Sequence, residues 1–289
     1  MERGTLLVAL LLGGLLTTQG VFPAWSEWAA LGLVIIAGIP HGSFDLRVAE
    51  AKWSGGAISK KLIVSLYVGS VLAMSGLCVM LPPVGLALFL GISALHFVEG
   101  EGYGGSRALN IKASLFGISA ILLPIGLHPV ESGEYVGYFL SSELYGELSP
   151  FISGAAMVTV PILCGVVLFD SLQKTPGVKQ NAFQRALCLV GWVTLSPLAG
   201  FAVWFIGRHS RLHLEACREM FKSSRFGVPF DFILISALAI IGLSPFALWF
   251  DFTDINQLFA ASISLIAGLT FPHIFVAHGL REVVEGEKL

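Results

Sequence analysis

The chain has 289 residues, of which 55% are hydrophobic and only 12% charged, with a formal net charge of −2 at pH 7. Ordinary soluble domains carry about 25% charged residues, so this composition excludes a typical soluble domain, and the small net charge gives no pointer to a nucleic-acid partner. The four cysteines, Cys78, Cys164, Cys188 and Cys217, lie in or beside apolar stretches and form no C-x-x-C pair. Neither a zinc knuckle nor a disulfide framework is indicated.

The first apolar stretch lies within residues 1–20, behind Arg3. Its core is short enough for a signal peptide, but no clear A-x-A site follows, and a retained, signal-like first helix is the expectation. Further apolar runs cover 26–46, 62–82, 84–99, 109–128, 150–169, 182–215, 230–249 and 257–280. A helix needs about 20 apolar residues to cross the hydrocarbon. The pattern therefore predicts an all-α, polytopic membrane bundle of about 9–10 transmembrane helices, forming a single integral membrane domain over 1–289.

The 182–215 run is too long for one simple span. Its "LSPLAG" segment places Pro197 where a helix starts well and continues badly. Lys and Arg gather in cytoplasmic loops, and a tight hairpin split at Ser196-Pro197 puts every basic loop on one side. That side holds, among others, Lys60, Lys61, Lys174, Lys179, Lys222 and Arg225. The opposite loops are acidic or neutral, with Glu131, Glu134, Asp251 and Asp254. The predicted topology is ten helices in the cell membrane with both termini cytoplasmic.

Seven histidines occur, at 41, 96, 128, 209, 213, 273 and 278. At ~1.5 Å per residue, His41, His96, His209, His213 and His273 fall between mid-membrane and the inner half, all on helices running inward. Ionisable residues at such depth are functional candidates by default, and imidazole is the commonest metal ligand. His209 and His213 are spaced i, i+4 and can face one ion from one helix turn. His41 and His96 are placed to complete the sphere. Four neutral imidazoles suit iron, zinc or copper better than magnesium or calcium. Asp45 and Glu99 follow His41 and His96 by four and three residues, and each can orient a ligand histidine as an outer carboxylate.

Plainer readings stand beside these. A membrane histidine also serves as a helix–helix hydrogen bond. Asp45 and Glu99 also read as interfacial charges at helix ends. Phe201 and Phe205 continue the i, i+4 stripe of His209 and His213, as a substrate-tunnel wall or as helix packing.

Four segments, "PHGSFD" (40–45), "ALHFVEGE" (94–101), "RHSRLH" (208–213) and "FPHIFVAHG" (271–279), come in the order found in the membrane carotenoid cleavage enzymes of the Brp/Blh type. The chain resembles that β-carotene 15,15′-dioxygenase family along nearly its whole length. The resemblance implies an Fe(2+)-dependent oxygenase that splits β-carotene at its central double bond with O2, giving two retinals. It implies iron ligation by His41, His96, His209 and His213. Asp45, Glu99 and His273 are then the surrounding residues, and Phe201 and Phe205 line the substrate path. The partners implied are a carotenoid, O2 and the lipid bilayer, with a retinal-binding rhodopsin as downstream recipient. The chain departs from the usual pattern at Ser43-Phe44, at Arg208 before His209, and at His278-Gly279-Leu280 after the last P-H segment. From other classes, a haem-binding electron-transfer protein and a proton-coupled permease also accommodate buried histidines. H-E-x-x-H is absent, which disfavours a zinc protease.

Overall fold

The computed structural model describes residues 3–53, 59–101, 111–220, 237, 241–242 and 244–286, and among these every regular element is helical. The helices are α1 (Arg3–Val21), α2 (Pro23–His41), α3 (Asp45–Trp53), α4 (Lys60–Met80), α5 (Pro82–Glu101), α6 (Ile111–Leu127), α7 (Pro129–Val136), α8 (Ser142–Leu172), α9 (Pro176–Thr194), α10 (Pro197–Trp204), a π-helical segment (Phe205–Ser210) and α11 (Arg211–Met220). A 3₁₀ turn (Ser244–Leu248) and a long final helix, here α12 (Ile255–Gly286), complete the set. Five of these helices, α1, α4, α5, α8 and α12, are long and apolar enough to cross a membrane, and α6 with α7 makes a sixth if that bent pair is one span. The protein is thus an all-α membrane bundle. The ten-segment expectation also counts shorter or broken stretches, including 230–249, most of which lies outside the described residues.

The chain forms two compact units, one of residues 1–35 and 94–212, the other of 36–93 and 213–289. In the first unit, α1 lies against α9 and the π-helical segment, and α6 against α8. Small residues allow the close approaches that lipid-embedded helices depend on. A Cβ at Gly126 on α6 would sit 2.8 Å from the Ile152 carbonyl oxygen of α8. The predicted hairpin is present. α9 ends at Thr194, Leu195 and Ser196 are extended, and Pro197 opens α10. Gln19 at the end of α1 closes this turn, accepting from the Ser196 amide at 3.0 Å and donating to the Thr194 carbonyl at 3.3 Å.

One expectation of the first unit changes. The acidic stretch before residue 150 is helical rather than a loop. Ser141 caps α8 by accepting from the Leu144 amide, and Glu143 occupies the first turn, both favourable at a helix start. Tyr145 donates to the Pro129 carbonyl at 2.8 Å and ties α8 to α7. With 31 residues, α8 is ~46 Å long at ~1.5 Å per residue and outreaches a hydrocarbon core of about 30 Å. α6 and α7 meet at 100°, with His128 at the corner contacting the Trp192 carbonyl at 3.0 Å.

In the second unit, α12 packs along α4 and α3. The tightest crossing is at Gly268, where an added Cβ would lie 2.1 Å from Ser75 Oγ and 2.8 Å from the Val71 carbonyl oxygen. Ser75 can rotate away; the Val71 backbone cannot. Gly268→Ala is therefore expected to cost about 1–3 kcal/mol of stability, as is typical of overpacking, seen as a lowered thermal midpoint in detergent, and adding Ser75→Ala is expected to restore only part of the loss. Full recovery in the double variant would place the conflict at the hydroxyl alone. The run expected over 26–46 also changes: α2 stops at His41, residues 42–44 form a turn, and α3 starts at Asp45. His41 and Asp45 therefore do not share one helix face.

Candidate metal centre

His96 and His209 meet in the first unit. His96 stands five residues before the end of α5, and His209 is in the π-helical segment; both are buried, at 3% and 4% exposure. Their Nε2 atoms are 3.1 Å apart, with the rings edge-to-face. Two ring nitrogens so close either share a proton or converge on one cation. Two ligands each about 2.1 Å from an ion and about 90° apart lie about 3.0 Å from each other, so the pair has a spacing that fits a shared transition-metal ion.

Aromatic rings hold this pair in place. Trp204 and Phe205 both stack on the His209 ring, with centroids at 5.2 and 5.6 Å. Phe97 meets it edge-on at 4.9 Å. Phe201 stacks on Phe205 at 5.3 Å and 16°, so the two tunnel candidates form one half-buried aromatic stripe that ends on His209. Glu99 is half-buried. The carboxylate that meets Arg208, the neighbour of His209, is Glu101, two residues on.

A second constellation lies in the other unit. Asp45, His213 and His273 are all buried, and one ligand atom from each lies within 4.8 Å of the others. The His213 and His273 rings are edge-to-face at 4.9 Å. Asp45 Oδ1 is 2.7 Å from His273 Nδ1, and Asp45 Oδ2 accepts from the Tyr67 hydroxyl at 2.8 Å. A carboxylate on one ring nitrogen leaves the other for a metal or substrate and fixes the ring plane, the usual arrangement behind a ligand histidine. His213 Nε2 also lies 3.5 Å from the Cys217 thiol one turn along α11. Gly42 makes room for the pair: a Cβ there would lie 3.1 Å from Asp45 Oδ2 and 3.8 Å from His273 Nδ1.

Of the sequence-derived candidates, the structure brings His96 to His209, and Asp45 to His213 and His273. His41 closes α2, and its side chain lies outside the described residues. Asp45 engages His273 rather than a neighbour on its own helix. Sequence reasoning missed Tyr67, Trp204 and Glu101. Tyr67 and Glu101 are polar groups inside or at the end of apolar runs, a signal that could have singled them out.

The class these features define is an all-α membrane bundle with buried histidine and carboxylate clusters among its helices. The family model described as "Beta-carotene 15,15'-dioxygenase" matches residues 32–281, and the chain belongs to that family. It is also 27% identical over 203 residues to a protein named "Beta-carotene 15,15'-dioxygenase" from uncultured marine bacterium 66A03, spanning 65% of this chain and 68% of that one. No solved structure matches.

Proposed function

We propose that the protein is an Fe(2+)-dependent dioxygenase that cleaves β-carotene at its 15,15′ double bond, adding both atoms of O2 to give two molecules of all-trans-retinal. The buried His96–His209 pair supports this reading most directly: two imidazoles with nitrogens 3.1 Å apart form half of a neutral nitrogen set of the kind iron accepts. Family membership supports the substrate. His41, His96, His209 and His213 are the proposed ligands, with Asp45 and His273 as the orienting pair. Bound ferrous iron supplies the redox chemistry that makes O2 reactive toward a closed-shell polyene.

The protein's own residues bind and orient. The stripe of Phe201 and Phe205 leads to His209 and offers an apolar, aromatic edge along which a polyene can lie. Trp204 and Phe97 close the far side of the histidine pair and keep bulk water away. Asp45 holds the proton on His273 Nδ1, which fixes that ring's tautomer. No step of the reaction requires a general acid or base. Expression in β-carotene-accumulating bacteria tests the reading: bleaching of the cells with accumulation of retinal is the expected result. Unbleached cells containing well-folded, iron-loaded protein would reject it.

The substrate and the retinal product are lipid-soluble, so the reaction belongs within the bilayer, and a retinal-binding rhodopsin is the proposed recipient. The proposed orientation places both termini in the cytoplasm. Cysteines introduced near Ser196 are then expected to react with an impermeant thiol reagent added outside intact cells, and one at Lys222 only after the cells are opened. Outside labelling at 222 would reject the orientation.

A further inference from the structure

We infer that Glu101 is a positioning residue for His209, acting through Arg208 to hold the intervening chain in its π-helical register; this rests on the proposed role of His209 as an iron ligand. Glu101 closes α5 and accepts from four donors. Arg208 Nε reaches Oε1 at 2.6 Å and Arg208 Nη2 reaches Oε2 at 2.9 Å, a two-pronged grip. Arg185 Nη2 also donates to Oε2, at 3.0 Å, and the Trp204 indole N–H to Oε1, at 3.3 Å. The Glu101 side chain is 2% exposed and that of Arg208 4%. The remaining arm of Arg208 donates to Gln184 at 3.2 Å and to Asn181 at 3.4 Å.

These contacts matter because of where Trp204, Arg208 and His209 fall. In an α-helix, residues five apart are ~140° out of line at 3.6 residues per turn, so Trp204 and His209 would face different neighbours. In the π-helical segment they stack ring on ring. One α5 helix is thereby met twice: Trp204 and Arg208 take Glu101, and His209 takes His96. π-helical turns are rare and poorly favoured on their own, so something must stabilise this one. The paired guanidinium and carboxylate are the strongest fixed contacts on the segment, because charge-assisted, two-pronged bonds outweigh neutral ones. Gly207 adds a steric condition: a Cβ there would lie 2.7 Å from Val8 Cγ2, so α1 packs against the segment in this register. Arg185 serves as an internal comparison. It shares the Glu101 carboxylate and pairs with Asp170 at 3.5 Å, but it stands on α9, outside the π-helical segment.

The test uses Glu101→Gln, Arg208→Lys and Arg185→Lys in the full-length protein purified in detergent. Gln cannot accept both prongs, and an ammonium cannot hold both carboxylate oxygens as a guanidinium does. Two readouts are taken. The first is independent of metal: a short bis-maleimide cross-linker, reactive toward thiols at both ends, applied to a His96→Cys/His209→Cys chain, alone and combined with each variant, with the link mapped by mass spectrometry. The second is the electron paramagnetic resonance signature of the Fe(2+)-loaded, nitric oxide-treated protein with native histidines, together with kcat and KM. Glu101→Gln and Arg208→Lys are expected to cut the 96–209 cross-link, alter the signature, and lower kcat roughly 10–100-fold with KM little changed, while Arg185→Lys does none of these. Should Glu101→Gln fail to fold, Arg208→Lys decides. An unchanged cross-link and signature in a folded Arg208→Lys protein would overturn the inference, as would Arg185→Lys reproducing every effect. If the parent chain binds no Fe(2+), the dioxygenase reading fails, and the cross-link alone then judges the positioning.

Discussion

His209→Ala is expected to abolish carotene cleavage and to remove most of the bound iron, and no excess of Fe(2+) is expected to restore either. Three features give this variant the largest effect. His209 is buried, its Nε2 lies 3.1 Å from that of His96, and Trp204 and Phe205 stack on its ring. Removing the imidazole takes away a proposed ligand and leaves a void lined by aromatic rings that water fills poorly. The rings that held His209 then have nothing to hold. His96→Ala and His41→Ala are expected to behave in the same way. Iron content by elemental analysis and retinal yield by chromatography are the paired measurements. Full iron occupancy in His209→Ala would remove this residue from the metal sphere.

Asp45→Asn is expected to leave measurable activity, reduced roughly 10–100-fold as is typical when an outer carboxylate is lost, and partly recovered by added Fe(2+). The asparagine keeps the shape and one acceptor oxygen for the His273 ring. It loses the charge that both His273 Nδ1 and the Tyr67 hydroxyl now meet, at 2.7 and 2.8 Å. Tyr67→Phe removes a single neutral donor to that carboxylate, and a smaller loss is expected. His273→Ala separates two roles for this pair. Near-normal iron with reduced turnover is the result expected of an orienting or substrate-facing residue. Iron loss equal to that of His209→Ala would make His273 a ligand in its own right, completing a two-histidine, one-carboxylate set with His213 and Asp45.

The fold was legible where a single local cause acts. Apolar length locates α1, α4, α5 and α12, and Pro197 locates the hairpin, because a proline at a helix start determines its own neighbourhood. It was less legible where distant partners decide. The helical acidic stretch before residue 150 depends on the Ser141 cap and on Tyr145 reaching Pro129, which hydropathy does not register. The histidine spacing made His209 and His213 conspicuous, but an α-helical wheel assigns both to one face. The π-helical segment that carries His209 is tied through Arg208 to Glu101, more than a hundred positions earlier. Asp45 and His273 were both recognisable as polar candidates at depth, but their pairing was not: the sequence sets Asp45 beside His41, and His273 comes from the far end of the chain.

The glutamine that seals the α9–α10 turn has a consequence for assembly. Gln19 lies on α1, and its partners, Thr194 and Ser196, are synthesised some 175 residues later. During that interval α1 must wait in the bilayer without its main packing surface. When the hairpin arrives, an exposed amide and carbonyl at its tip find a side chain already in place, and Val8 meets Gly207 along the same interface. The contact of α1 with the α9–α10 hairpin thus joins the two ends of the first unit and forms only after most of that unit has been made. Supplying residues 1–21 as a separate segment alongside the remainder of the chain should therefore rescue assembly that the remainder alone cannot achieve.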